Sequence, residues 1–129
     1  MPIIVIYGIH PDAGNAVDDL RKELQKCVSE IPELRLTKKG VSVRFPADIG
    51  PIYYEDEPTL NVIISGLFRR PERTRGVCQT LANVVCKTIA AWAAALKVRT
   101  PTTPFTASQV EVLVERFDLG EEAFSTENF

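Results

Sequence analysis

The chain opens MPIIVIYG, which sets a proline at position 2 directly against a run of strand-forming residues. Proline is tolerated as the first residue of a strand, where its missing N–H costs no ladder hydrogen bond. Pro2 also has a chemical reading. Met1 stands ahead of a small residue and is expected to be removed, leaving Pro2 with a free secondary amine; such an amine is a nucleophile and a base, and an amide nitrogen is neither. Abstracting a proton next to a carbonyl needs a base whose conjugate acid has a pKa near the working pH. A terminal amine starts at a pKa of about 8, and an apolar pocket with nearby cations lowers it, because both disfavour the ammonium form. Cations are available in RRPERTRG, which supplies Arg69, Arg70, Arg73 and Arg75. Guanidinium groups hold a carboxylate by bidentate pairing. Near a helix start they gain nothing from the macrodipole, so an anion site and a solvated turn are both open readings.

Other residues carry weaker chemistry. His10 reads as a loop residue and Trp92 as core or interface. Tyr53 and Tyr54 pack or catalyse, and Glu55, Asp56 and Glu57 read as a solvated acidic turn. Cys27, Cys78 and Cys86 form no CxxC pair, and with a single histidine a zinc site is poorly supplied. Cys78 and Cys86 fall on one helix about 12 Å apart along its axis, too far to bridge, so buried free thiols are expected. No metal and no cofactor are expected.

These residues must be positioned by a chain of 129 residues, the size of a single domain spanning 1–129. Its 45% hydrophobic and 25% charged residues are ordinary for a globular protein. Fifteen basic against seventeen acidic residues leave a net charge of −2, which argues against nucleic acid as the main partner. The opening strand is too short for a signal core and has no charged segment ahead of it. No apolar run is read as membrane-spanning, so no membrane partner and a cytoplasmic location are expected.

Ile3 to Tyr7 reads as a strand rich in β-branched residues. Asn15 is a candidate N-cap with Asp18 three residues on, and Val17, Leu20, Leu24, Cys27, Val28 and Ile31 follow at the spacing of one buried helix face, ended by Pro32. Val41, Val43 and Phe45 alternate with Ser42 and Arg44 as a half-buried strand. Ala47 to Thr59 reads as a loop. Leu60 to Phe68 is a nearly continuous apolar strand, expected to be central and covered on both faces. A second helix carries Val77, Leu81, Val84, Val85, Trp92 and Leu96 and ends near Lys97. Val110, Val112 and Val114 alternate with Glu111, Leu113 and Glu115 as a last strand. The order is β-α-β written twice, in halves of about 1–50 and 59–117, with a tail at 118–129. The fold class is therefore α/β (α+β), a four-stranded mixed sheet with two helices on one face. The bare face needs a cover, and the simplest is another copy of the chain.

MPIIVIYG, and LNVIISGLFRRPERTRGVCQTLANVV with its arginine-rich turn, resemble the tautomerase superfamily of oxalocrotonate tautomerase and macrophage migration inhibitory factor. The resemblance runs by element order from position 1 to about 117. The ending VEVLVERFDLGEEAFSTENF is similar to a branch of small superfamily proteins with no assigned reaction. The resemblance implies Pro2 as the catalytic amine, Arg70 as the binder of a substrate carboxylate, and Arg73 or Arg69 as its assistant. A further arginine of the second strand falls at Ser42 here, with Arg44 two residues on and on the same face. Tyr53, Tyr54 and Glu115 are candidates for an acidic or tyrosyl partner. The implied assembly is a homotrimer. The implied reaction is tautomerisation or isomerisation of small 2-oxo acids, or hydration or decarboxylation through the same proline. The alternative is a non-catalytic oligomeric binding or structural protein of the same fold.

Overall fold

A computed structural model describes residues 2–9, 13–46, 59–99, 109–118, 125 and 127. Strand β1 (Ile3–Tyr7) leads to helix α1 (Ala16–Ser29), two short 3-10 turns (Pro32–Leu34 and Lys38–Gly40) and strand β2 (Ser42–Arg44). Strand β3 (Thr59–Phe68), helix α2 (Arg75–Arg99) and strand β4 (Gln109–Phe117) repeat the pattern. The sheet order is β2-β1-β3-β4. β1 and β2 are parallel, β3 and β4 are parallel, and the two pairs meet antiparallel along β1 and β3.

The expected alternation decides which side chains enter the core. Ile4 sits opposite Val43 on one side and Ile64 on the other, and Ile6 lies opposite Val62, which faces Val112 in turn. These residues form one sheet face, and both helices cover it. Leu20, Leu24 and Val28 recur every four residues along α1; Leu81, Val85, Ile89, Trp92 and Leu96 do the same work on α2. The opposite face carries Ile3, Val5 and Ile63, all half-buried, with Tyr7 40% and Leu113 56% exposed. β3 is central, as its composition predicts, and a helix layer covers one of its faces.

Several boundaries differ from the sequence reading. α1 ends at Ser29, so Ile31 is not helical; it is extended (φ −79°, ψ 106°), as a residue before proline tends to be, yet it stays buried. β2 is three residues long, and Phe45 leaves the ladder to lie under the Arg21 guanidinium, 5.2 Å from its ring centre. The stretch Arg75–Leu96 of α2, with mean hydropathy 1.2, is long and apolar enough to cross a membrane, contrary to the expectation that no such run exists. Its place is set by its neighbours: it is the crossover between parallel strands β3 and β4, and its apolar stripe lies on the core. Thr74 starts it, accepting the Val77 N–H at its hydroxyl (3.3 Å) and the Cys78 N–H at its carbonyl (3.0 Å). Residues 47–58, including Tyr53, Tyr54 and the acidic run, and His10 lie outside the described residues.

Candidate functional site

Pro2 is buried at the N-terminal end of β1, and its carbonyl accepts the Ser42 N–H at 3.1 Å. The next residue, Ile3, is opposite Ser42 on β2 and Ser65 on β3. Here β3 departs from regular pairing. Ile64 faces Val114 and Leu67 faces Arg116, so three steps on β3 span two on β4, a β-bulge at Ser65 and Gly66. Gly66 takes φ +74°, a left-handed value that L side chains rarely adopt, which accounts for glycine inside an apolar strand.

The bulge opens a cleft of about 470 Å³ lined by Ser65, Gly66, Glu115, Arg116 and Phe117. It borders the rung that follows Pro2 and brings a carboxylate, a guanidinium and an aromatic ring to one end of the sheet. Beyond it, Phe68 and Phe117 meet edge to face with centroids 5.6 Å apart, and the Arg69 N–H donates to the Phe117 carbonyl at 2.8 Å.

The arginine turn leaves this same end, because β3 runs antiparallel to β1 and finishes beside the start of β1. Its members do different things. Arg69 lies 3.8 Å from Asp118, an exposed pairing of little energetic weight. Arg70 is exposed. Arg73 is only 7% exposed, and its guanidinium is turned inward. One terminal nitrogen donates to the Phe68 carbonyl (2.8 Å) and the other to the Leu34 carbonyl (3.0 Å). Its Nε–H is buried without a partner among the described residues. Burial, and then the neighbouring charge of Arg70, pull the Arg73 pKa below the usual arginine value, against an opposing pull from Glu72. It remains a cation. Its own carbonyl accepts from Arg116 Nη1 at 3.4 Å, tying the turn to β4.

Arg44 is exposed on the open face at the rung of Val5, two residues along β2 from the Ile3 rung. Pro2, Arg70, Arg73, Arg69 and Glu115 therefore share one end of the molecule, and Arg44 stands off it. Sequence reasoning passed over Arg116, Ser65, Gly66 and Phe117. Two signals were present: a Ser-Gly pair inside an apolar strand, and a cation at 116 with the inward parity of Val110, Val112 and Val114.

Cys27, Cys78 and Cys86 are free and half-buried. Among the described residues, no group of three His, Cys, Asp or Glu side chains is placed to hold a metal ion.

No protein-family model and no curated protein matches the sequence. Solved structures do match along nearly the whole chain. The fused 4-OT wild-type asymmetric trimer superposes with TM-score 0.60 at 12% identity, over 97% of this chain and 94% of that one. A 5-carboxymethyl-2-hydroxymuconate isomerase from Deinococcus radiodurans R1 gives 0.59 at 9% identity, over 98% and 90%. Pt0534 inactivated by 2-oxo-3-pentynoate gives 0.53 at 16% identity, over 96% and 91%.

Proposed function

We propose, for a chain that has the fold of the tautomerase superfamily, that Pro2 freed of Met1 is the general base of a tautomerase or isomerase acting on small 2-oxo acids. The observation that carries this reading is the cleft beside the first rung of β1, which Glu115 and Arg116 line at the end of the sheet where the arginine turn begins. A prolyl amine at that position is desolvated and lies in the field of Arg70, Arg73 and Arg116, all of which favour its neutral form. Arg70, exposed on the arginine turn, and Arg116, which lines the cleft, supply the charge for a substrate carboxylate. Arg73 serves them by holding the turn, since its two terminal nitrogens donate to Phe68 and Leu34. Arg69 is shared with Asp118.

On an enol such as phenylenolpyruvate, the amine takes the enol O–H proton and the resulting prolinium returns a proton to C3. The C=C pair forms the new C–H bond and the oxygen lone pair forms the carbonyl. That one related fold, Pt0534, is inactivated by a 2-oxo acid supports the substrate class. The assembly proposed for it is a homotrimer through the open face, supported by the apolar row Val5, Ile63 and Leu113 and by the trimeric state of the 4-OT structure.

The test is ketonisation of phenylenolpyruvate by protein whose intact mass starts at Pro2. Turnover is expected with that protein, is lost when Met1 is retained, and survives in part in Pro2→Ala with Met1 removed, where a primary amine remains. Equal turnover with Met1 retained would reject the amine mechanism and favour the binding-protein reading.

A further inference from the structure

At the other end of the molecule, α1 and α2 lie side by side. α1 starts beyond the C-terminal end of β1, away from Pro2, and α2 runs from the arginine turn toward that same far end. Between them lies a cleft of about 530 Å³ lined by Asp19 and Glu23 from α1 and by Lys87, Thr88, Ala91 and Trp92 from α2. We propose that this cleft binds a small zwitterion, a free amino acid with an apolar side chain, at a site separate from the one at the sheet end.

The charges carry the argument. Asp19 and Glu23 are four residues apart, so they share one helix face and form an acidic wall. Lys87 faces them from the other helix. Among the described residues none of the three enters an ion pair, although Asp18, one residue away, is closed by Arg21 at 2.6 Å. Opposite charges held apart across a cleft are the complement of a ligand whose own charges are separated: an ammonium on the acidic wall and a carboxylate on Lys87.

The floor fits an apolar body. The buried Trp92 indole is fixed by its N–H, which donates to the Ala16 carbonyl at 3.0 Å, and Ala91 adds a methyl beside it. The Thr88 hydroxyl is already engaged, with the Val84 carbonyl at 2.8 Å and the Cys27 sulfur at 3.5 Å. With the floor donors committed, recognition of polar groups falls to the three charged walls, and the indole and methyl take the side chain.

The experiment is a titration of the isotopically labelled full chain followed by amide and indole N–H shifts, with L-phenylalanine as probe. Phenethylamine, which lacks the carboxylate, and 3-phenylpropionate, which lacks the amine, are the comparison arms. L-Phenylalanine is expected to move the signals of Asp19, Glu23, Lys87, Ala91 and the Trp92 indole. Each truncated analogue should bind about fivefold more weakly, the upper end for one solvent-accessible ion pair. Lys87→Met and Glu23→Gln, both exposed, should weaken L-phenylalanine to a similar degree at unchanged melting temperature. No shifts at millimolar L-phenylalanine, equal binding of phenethylamine, or shifts gathered at Ser65, Glu115 and Arg116 would each overturn the proposal.

Discussion

On the helix-covered face of the sheet, Ile4, Ile6, Val62 and Ile64 are at most 1% exposed, whereas on the opposite face Ile3, Val5 and Ile63 keep part of their surface in water and Leu113 is 56% exposed. Along the rung Val5, Ile63 and Leu113 residue type does not separate the faces, although the rest of the open face also carries Arg44, Asn61, Glu111 and Glu115. Topology separates them. The antiparallel meeting of β1 and β3 relates the two β-α-β halves by rotation about an axis normal to the sheet, which leaves the face unchanged, so both crossover helices fall on one side. The first face is a core made by the chain alone. The second carries one apolar rung, Val5, Ile63 and Leu113, among polar residues, with neither described helix upon it.

The sharpest way to test that difference is to truncate neighbours on one strand. Ile64→Ala should lower unfolding free energy by about 2 to 5 kcal/mol in urea, the range for a fully buried large-to-small change. Ile63→Ala, one residue away, should leave the dilute monomer near wild type and act on the concentration dependence of unfolding. Equal losses at both positions would erase the distinction between the faces.

Next in size is Arg73→Ala. It removes the bonds that Arg73 gives the Phe68 and Leu34 carbonyls, and a buried group left unsatisfied, as the Leu34 carbonyl would be, costs roughly 1 to 3 kcal/mol. Arg70→Ala should stay within about 0.5 kcal/mol, as an exposed change does. Thermal unfolding of the pair reads whether the two arginines differ as their burial says. Leu113→Asp should abolish self-association by sedimentation while shifting monomer stability by no more than about 0.5 kcal/mol. An unchanged oligomer would mean that the open face is not where copies meet.

The smallest effect belongs to Cys27. Burial pushes its thiol above the usual value, against hydrogen bonding from Thr88 and with a further upward push from Glu23. The unfolded chain therefore releases this proton first, and folding stability falls as pH rises past the unfolded thiol value of about 8.5. Cys27→Ser should flatten that alkaline decline relative to wild type, and alkylation of native Cys27 should be slow at pH 8.

The fold was legible wherever periodicity is local. Ile3–Tyr7 matches residue for residue, and the Leu20, Leu24, Val28 and Leu81, Val85, Ile89 stripes fix the helix faces. What the sequence hid depends on partners remote along the chain. Arg73 looks solvated in its charged run, and the Leu34 carbonyl, 39 residues upstream, joins that of Phe68 in drawing it inward. The bulge at Ser65 and Gly66 exists only relative to β4, so the cleft and the place of Arg116 in it could not be read before the strands were paired, although Glu115 was visible as a candidate acidic partner. Pro2 and Arg70 were visible as residue types. Their arrival at one end of the sheet follows from the antiparallel turn between the halves.

Not one of the three ladders among the described strands is a hairpin. Ile3 pairs with Ser42, Tyr7 with Asn61 and Thr59 with Gln109, so every rung joins residues far apart along the chain. Each such contact costs loop-closure entropy before it contributes stability. The contact order of the sheet is accordingly high, and folding should be slow for a domain of this size, with helical signal rising well before the β1–β3 seam closes. Kinetically the chain should fold as two crossover units that must find each other, an encounter between subunits written into a single polypeptide.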